Sequence, residues 1–175
     1  MEKKNIKEYR EKRNFEKTPE PKNNENGENI FVVQKHQASH LHYDFRLEFE
    51  GVLKSWAIPK GPSMEPKEKR LAIQTEDHPL SYNGFEGVIP EGEYGAGKVI
   101  VWDNGKYEAI NDMEKGFEEG EIEFRLEGEK LKGGFALIKM EGEKWLLIKK
   151  KDRFAGEKIK DEKSVKSGKK VEELG

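Results

Sequence analysis

The 175-residue sequence contains no cysteine. Disulfides, thiolate-held metals and a cysteine nucleophile are therefore excluded. No apolar run approaches the roughly 18 residues of a membrane-spanning helix, and the first 30 residues lack the apolar stretch of a signal peptide. The expectation is a soluble, cytoplasmic protein with no membrane partner. Apolar side chains make up only 33% of the chain and charged ones 39%, so part of it is expected to lie outside a packed core. An excess of positive charge is missing too. The net charge is −2, and residues 31–148 carry 15 basic against 22 acidic groups. A general nucleic-acid coat protein would show a basic body, so any affinity for phosphate must come from a local site.

What is present is a series of short β patterns. Ile30–Gln34 and the stretch through residues 40–49 are followed by 51–58, 70–75, 98–102, 121–127, 134–139 and 144–149. About eight short strands with Gly, Pro and Asn-Gly turn chemistry between them predict an all-β protein, a compact closed or nearly closed barrel that leaves no free edges. Asp103-Asn-Gly-Lys106 reads as a hairpin turn. Only Asp112–Glu119 looks helical inside the body, and residues 3–17 are compatible with a second short helix. The division expected is an arm over residues 1–29, a barrel domain over 30–154 and a flexible Lys/Glu-rich tail over 155–175.

The most informative stretch is His36-Gln-Ala-Ser-His40-Leu-His42-Tyr-Asp44-Phe-Arg46-Leu-Glu48-Phe49. From residue 40 it alternates strictly. His40, His42, Asp44, Arg46 and Glu48 share one parity, and Leu41, Tyr43, Phe45, Leu47 and Phe49 share the other. Same-face neighbours on a strand stand about 6.5–7 Å apart, which lets His42 and Asp44 converge on one metal ion with Arg46 beyond them. Residues 121–127 alternate equally well, but with Glu and Arg on the polar side, as a solvated face does. The difference is composition, because three of the chain's four histidines fall between residues 36 and 42. Two His and one Asp suit Mn, Fe, Co, Ni or Zn, with no thiolate to favour zinc.

The fourth histidine, His78, ends a strand in Asp77-His78-Pro79, with Tyr82 close behind. Strand ends carry catalytic groups, and they also carry histidines that only cap turns. Gly92-Glu-Tyr-Gly-Ala-Gly97-Lys98-Val99 approaches a phosphate-binding P-loop. That motif needs Ser or Thr after the Lys and a following helix. Here Val99 follows and a strand continues, so nucleotide binding is rejected at this loop.

Taken together these blocks resemble the 3′-phosphoesterase domain of LigD-type end-joining DNA ligases. The resemblance rests on His36-x-Ala-Ser-x-Leu-His42-Tyr-Asp44-Phe-Arg46-Leu, Lys54-Ser-Trp-Ala-Ile-Pro-Lys60-Gly-Pro, Lys69-Arg70-Leu-Ala, Glu76-Asp-His78-Pro-Leu-x-Tyr82 and Phe85 through Gly97. It extends over residues 9 to about 152. No part resembles the ligase or primase-polymerase domains, so a stand-alone form is expected. The resemblance implies a manganese-dependent β-barrel enzyme, with other divalent transition metals such as cobalt as substitutes. Such an enzyme removes a 3′-terminal ribonucleoside to leave a 3′-phosphate, then converts that to a 3′-OH ready for ligation.

The resemblance also implies residue roles. The metal ligands match His36, His42 and Asp44. The catalytic and phosphate-contacting positions match Arg46, His78 and Tyr82, with Lys60 and Arg70 close by. His78 would hydrogen-bond the phosphate or protonate the leaving oxygen. Tyr9-Arg-Glu-Lys-Arg13-Asn14-Phe15 and Thr18-Pro-Glu20-Pro resemble the family's N-terminal arm, with Arg13 and Glu20 as substrate-side positions and Asn14 where Asp is expected. His40 stands where Arg is common, as a substitute phosphate contact or as plain surface. The partners implied are nucleic-acid 3′ ends and, in the cell, a separate ATP-dependent DNA ligase, a primase-polymerase and a Ku-like protein, the chain itself being monomeric. The rival reading is a catalytically weak DNA-end-binding barrel that recruits a ligase or an end-bridging protein.

Overall fold

The structure is a computed structural model and describes residues 6–21 and 29–175. Of the arm expected over residues 1–29, residues 1–5 and 22–28 lie outside the described residues. The strands are β1 (Ile30–Gln37), β2 (Leu41–Phe49), β3 (Val52–Ile58), β4 (Arg70–Pro79), β5 (Gly87–Ile89), β6 (Gly97–Ala109), β7 (Glu121–Gly128), β8 (Lys132–Glu141) and β9 (Lys144–Lys149). Every pairing among them is antiparallel. The ring runs β1-β2-β3-β4-β9-β8-β7-β6, and β6 pairs back onto β1 to close an eight-stranded barrel, with β5 added outside it on β6. Closure removes the free edges that an open sheet would present.

Alternation decides what fills the barrel. Phe45 and Leu47 of β2, Trp56 of β3, Trp102 of β6, Phe124 of β7, Phe135 of β8 and Trp145 of β9 are buried together inside it. Removing side chains of this size from water stabilises the fold by about 1.5–3 kcal/mol each. The opposite parity builds a second, smaller apolar cluster on the outer wall. Val32, Leu53, Val99 and Val101 are covered there by Tyr9 of the arm and by Leu80, Tyr82, Phe85 and Ile89. The outer wall is therefore roofed near β1–β3, and it is under this roof that the polar face of β2 lies.

Among the described residues there are two short α-helices. The arm forms α1 (Lys7–Glu11), inside the expected 3–17 stretch, and α2 is Met113–Glu119. Asp112 caps α2 by accepting from the backbone N–H groups of Glu114 and Lys115.

Two expectations change. Asp103-Asn-Gly-Lys106 is not a hairpin but lies inside β6. A Cβ on Gly105 would stand 2.1 Å from the Glu127 carbonyl oxygen, so the glycine allows β6 to pass close to β7. The Asp103 carboxylate accepts from the N–H groups of Glu129, Lys130 and Leu131 and so organises the neighbouring β7–β8 turn. Residues 155–175 differ too, because they pack along the barrel rather than hanging free. Glu162 accepts from Lys35 Nζ at 2.9 Å, Tyr43 Oη at 2.6 Å and Trp102 Nε1 at 3.2 Å. Val171 is 1% exposed, the Val165 N–H bonds the Val101 carbonyl, and Lys130 Nζ reaches the carbonyls of Trp102 and Lys163. Specific polar contacts and isolated apolar anchors, Ile159, Val165 and Val171, hold this segment without leaving a periodic pattern in the sequence.

Candidate active site

His36 and His42 face each other directly across β1 and β2, and Gln34 faces Asp44 in the same register. That pairing turns a one-strand pattern into a cluster. His42 Nε2 lies 3.2 Å from Asp44 Oδ2 and His36 Nδ1 3.6 Å from the same oxygen. One donor atom from each of the three residues lies within 4.8 Å of the others. Backbone carbonyls set the tautomers, since a carbonyl can only accept. His36 Nε2–H donates to Gly95 O at 2.8 Å and His42 Nδ1–H to His40 O at 3.1 Å. His36 Nδ1 and His42 Nε2 are thus the nitrogens turned to an Asp44 oxygen. Protonated, they donate to the carboxylate; unprotonated, they make with it the donor set and outer support that a divalent ion takes. Burial acts to raise the Asp44 pKa, but Arg46 and the bonds from His36 and His42 outweigh it and hold it well below the usual carboxylate range. Burial likewise opposes the protonated form of His42, yet the bond and charge of Asp44 prevail and raise its pKa.

Arg46 extends the site along β2. Its Nη2 lies 3.6 Å from Asp44 Oδ2, its Nη1 lies 3.2 Å from His78 Nδ1, and its Nε donates to Gln34 Oε1 at 2.7 Å. Gln34 is oriented by donating its amide to the carbonyls of Tyr82 and Phe85, at 3.1 and 2.9 Å. His78 arrives through the β3–β4 pairing, where it faces Leu53. Its other nitrogen, Nε2, lies 3.5 Å from Arg13 Nη2. Burial, then Arg46 and Arg13, push its pKa well below the ordinary imidazole value. A neutral imidazole has one lone pair. With Nδ1–H donated to Glu76 O at 3.0 Å, Arg46 Nη1 faces an N–H instead of an acceptor, an arrangement that an anion would satisfy.

The arm closes the site. Arg13 Nε donates to Glu20 Oε2 at 2.9 Å, and Tyr82 Oη donates to that same oxygen at 2.7 Å. Thr18 Oγ1 donates to the other Glu20 oxygen at 2.9 Å. Burial and the Glu20 charge raise the Tyr82 pKa well above its usual value, so the phenol stays a donor. The rings of Tyr9 and Tyr82 lie 4.9 and 4.7 Å from the His78 ring, and Arg13 stands 4.0 Å over Tyr9.

One pocket thus gathers His36, His42, Asp44, Arg46, His78 and Tyr82 with Arg13 and Glu20. Lys60 and Arg70 do not line it. They line a separate depression with Lys67 and Lys69, and Arg70 Nη2 stands 3.5 Å from Glu68. His40 is exposed in the turn before β2, and only its backbone carbonyl serves the site. Asn14 is also exposed, and its side chain accepts from the Glu16 N–H. Sequence reasoning missed Gln34 and Glu76. Gln34 shares the parity of His36 on β1, which is the signal that would have found it. Glu76 shares that of His78 on β4, and its carboxylate binds Lys12 and Arg13, each at 3.3 Å.

The fold and site define a closed antiparallel barrel with a His/His/Asp centre set beside arginines on its outer wall. Residues 34–139 match the family model of the DNA Ligase D 3′-phosphoesterase domain, and the chain belongs to that family. It is 52% identical over 156 residues to the multifunctional non-homologous end joining protein LigD of Pseudomonas aeruginosa, covering 84% of this chain and 19% of that protein. It is 48% identical over 152 residues to the multifunctional non-homologous end joining DNA repair protein LigD of Mycobacterium tuberculosis, covering 83% and 20%. The LigD protein of Mycolicibacterium smegmatis is 46% identical over 157 residues, with 83% and 20% covered. The chain therefore spans about a fifth of the length of these relatives. Among the described residues no helix is long and apolar enough to cross a membrane.

Proposed function

We propose that this protein is a divalent-metal-dependent phosphoesterase that heals 3′ ends of nucleic acid for end joining. Its two steps remove a 3′-terminal ribonucleoside to leave a 3′-phosphate, then convert the phosphate to a 3′-OH. The observation that carries this reading is the convergence of His36, His42 and Asp44 with Arg46 and His78 in one pocket. Family membership supports the chemistry, and the relatives' names support a role at DNA ends.

His36 Nδ1, His42 Nε2 and an Asp44 oxygen would hold the ion, with manganese the choice the family resemblance favours. When bound, it supplies Lewis-acid charge at a phosphoryl oxygen. Arg46 takes the non-bridging oxygens in fork geometry, its Nε already fixed by Gln34. An arriving phosphate offsets the charge of the two guanidiniums beside His78 and raises its pKa. Protonated Nε2 then donates to the phosphate. Arg13, held by Glu20 and Glu76, lies on the far side of His78 and positions the end of the strand. Glu20 fastens the arm to Tyr82. Lys60, Arg70 and His40, outside the pocket, are proposed to meet phosphates further along the strand.

The test is a manganese-dependent digest of a 5′-labelled primer ending in one ribonucleotide and annealed to a longer template. Wild type yields first the 3′-phosphate and then the 3′-OH product, while His42→Ala and His78→Ala yield neither. A primer left intact by wild type but shifted in a gel would sink the enzymatic reading in favour of end binding and recruitment.

A further inference from the structure

The pocket's lining is chemically mixed. His36, His42, Asp44, Arg46 and His78 bring polar and charged groups to it, whereas Ala38, Ile89 and Tyr94 bring uncharged surface. The two lie close together. A Cβ on Gly95 would stand 3.7 Å from His36 Cε1 and 4.0 Å from Ile89 Cδ1, so the uncharged surface begins beside the metal-ligand cluster. Gly95 has φ +77°, a left-handed conformation in which glycine is the least strained residue. The same turn directs its carbonyl to His36 and places the preceding residue, Tyr94, at the rim.

Tyr94 is 48% exposed, unlike Tyr9 and Tyr82, which are buried in the same site. The arm meets it by a long contact, Lys12 Nζ donating to Tyr94 Oη at 3.4 Å, which leaves the ring half exposed. Lys12 Nζ and Arg13 Cζ lie 4.8 and 5.1 Å from its ring centre. Both cations are already held by carboxylates, Lys12 by Glu8 and Glu76 at 3.2 and 3.3 Å and Arg13 by Glu20 and Glu76 at 2.9 and 3.3 Å. What remains is a half-exposed aromatic ring lining the same pocket as the charged groups. A nucleotide combines the same two features, with a flat base at one end and phosphate at the other. Exposed aromatics beside basic groups are how single-stranded ends are gripped, because every base offers a π face.

We propose that Ala38, Ile89 and Tyr94 seat the base of the 3′-terminal nucleoside, with the Tyr94 ring stacked on it and the scissile phosphate at Arg46. This rests on the phosphoesterase reading above. Stacking tolerates any base, so the seat selects for a base without selecting its identity.

The test crosses enzyme with substrate. Primers ending in a normal ribonucleotide or in an abasic ribose are given to wild type, Tyr94→Ala and Tyr94→Phe. Wild type is expected to prefer the base-bearing end by roughly tenfold to a hundredfold in kcat/KM, the range that base–aromatic stacking supplies. Tyr94→Ala loses that preference, and Tyr94→Phe, which keeps the ring, retains it. An equal loss on both primers would overturn the proposal, because the ring would then serve the arm or the fold. If wild type cleaves neither primer, the phosphoesterase reading is what fails. Fluorescence anisotropy with the same two primers then decides the seat: a Tyr94-dependent preference for the base-bearing end sustains it, and equal affinities overturn it.

Discussion

Arg46 Nη1 stands 3.2 Å from His78 Nδ1, a cation set against a base that burial, with the charges of Arg46 and Arg13, keeps neutral. The pair comes from strands that are not neighbours, since β3 lies between β2 and β4. Ser55 of β3, with Oγ 3.5 Å from His78 Nδ1, lies between them. A neutral imidazole beside two guanidiniums is poised to take up a proton when an anion arrives. That makes anion binding and protonation one event.

The first prediction follows from this linkage. Sulfate binding to wild type tightens as the pH falls from 8 to 6, while His78→Gln shows a shallower dependence, as read by calorimetry. In the unliganded protein the sign reverses. The folded pKa of His78 lies below the unfolded value of 6.5, so its stabilising contribution is complete above about 6.5 and is lost as pH falls toward the folded pKa. Thermal melts in chelator should therefore show a smaller loss of Tm between pH 7.5 and 5.5 for His78→Gln than for wild type. Equal slopes would contradict the buried neutral histidine.

Manganese should raise the Tm, by an amount corresponding to about 2.7 kcal/mol at one hundred times its Kd. His42→Ala and Asp44→Asn are expected to abolish the shift. Because Asp44 raises the pKa of His42 and a ligand must be unprotonated to bind, affinity should fall as pH drops below neutrality. An affinity unchanged between pH 7.5 and 6 would argue against His42 as a ligand.

Gln34 is fully buried, and its amide serves Arg46, Tyr82 and Phe85 together. Gln34→Leu takes the Gln34 partner from the Arg46 Nε and the Phe85 carbonyl, while the Tyr82 carbonyl keeps the Phe85 N–H. It should destabilise the fold by about 1–3 kcal/mol in urea titrations. Activity on the labelled primer should fall further than that loss of stability explains, because Arg46 is no longer held.

Glu162 gathers Lys35, Tyr43 and Trp102 on one oxygen. Glu162→Ala is expected to lower stability by about 1–2 kcal/mol, and truncation after Phe154 by more. A truncated chain melting at the wild-type temperature would show that residues 155–175 only lie against the barrel without supporting it.

Much of this was legible in the residues. The alternation of β2 separated Phe45 and Leu47, which face the barrel interior, from Asp44 and Arg46, which face the site. Helix α2 falls inside the Asp112–Glu119 stretch that reads as helical. The position of His78 on the site was not legible from pattern alone, because it depends on the β3–β4 register shift between Leu53 and Ser55. His40 carries the right parity but sits before β2 begins, where parity no longer fixes direction. The Asn-Gly pair was misleading because a close strand approach demands the same small residue as a turn does.

The sequence by itself determined the all-β class, the two faces of the strands that alternate, β2 and β7, and the donor chemistry available. These follow from the two-residue period of the extended chain and from which side chains exist at all. Only the tertiary structure decided that β6 returns to close the ring on β1, that His36 meets His42, that two arginines flank His78 and that Lys60 and Arg70 stand apart. Such facts depend on which distant segments pair and in what register. Barrel closure ties that register to contacts between residues far apart in the chain.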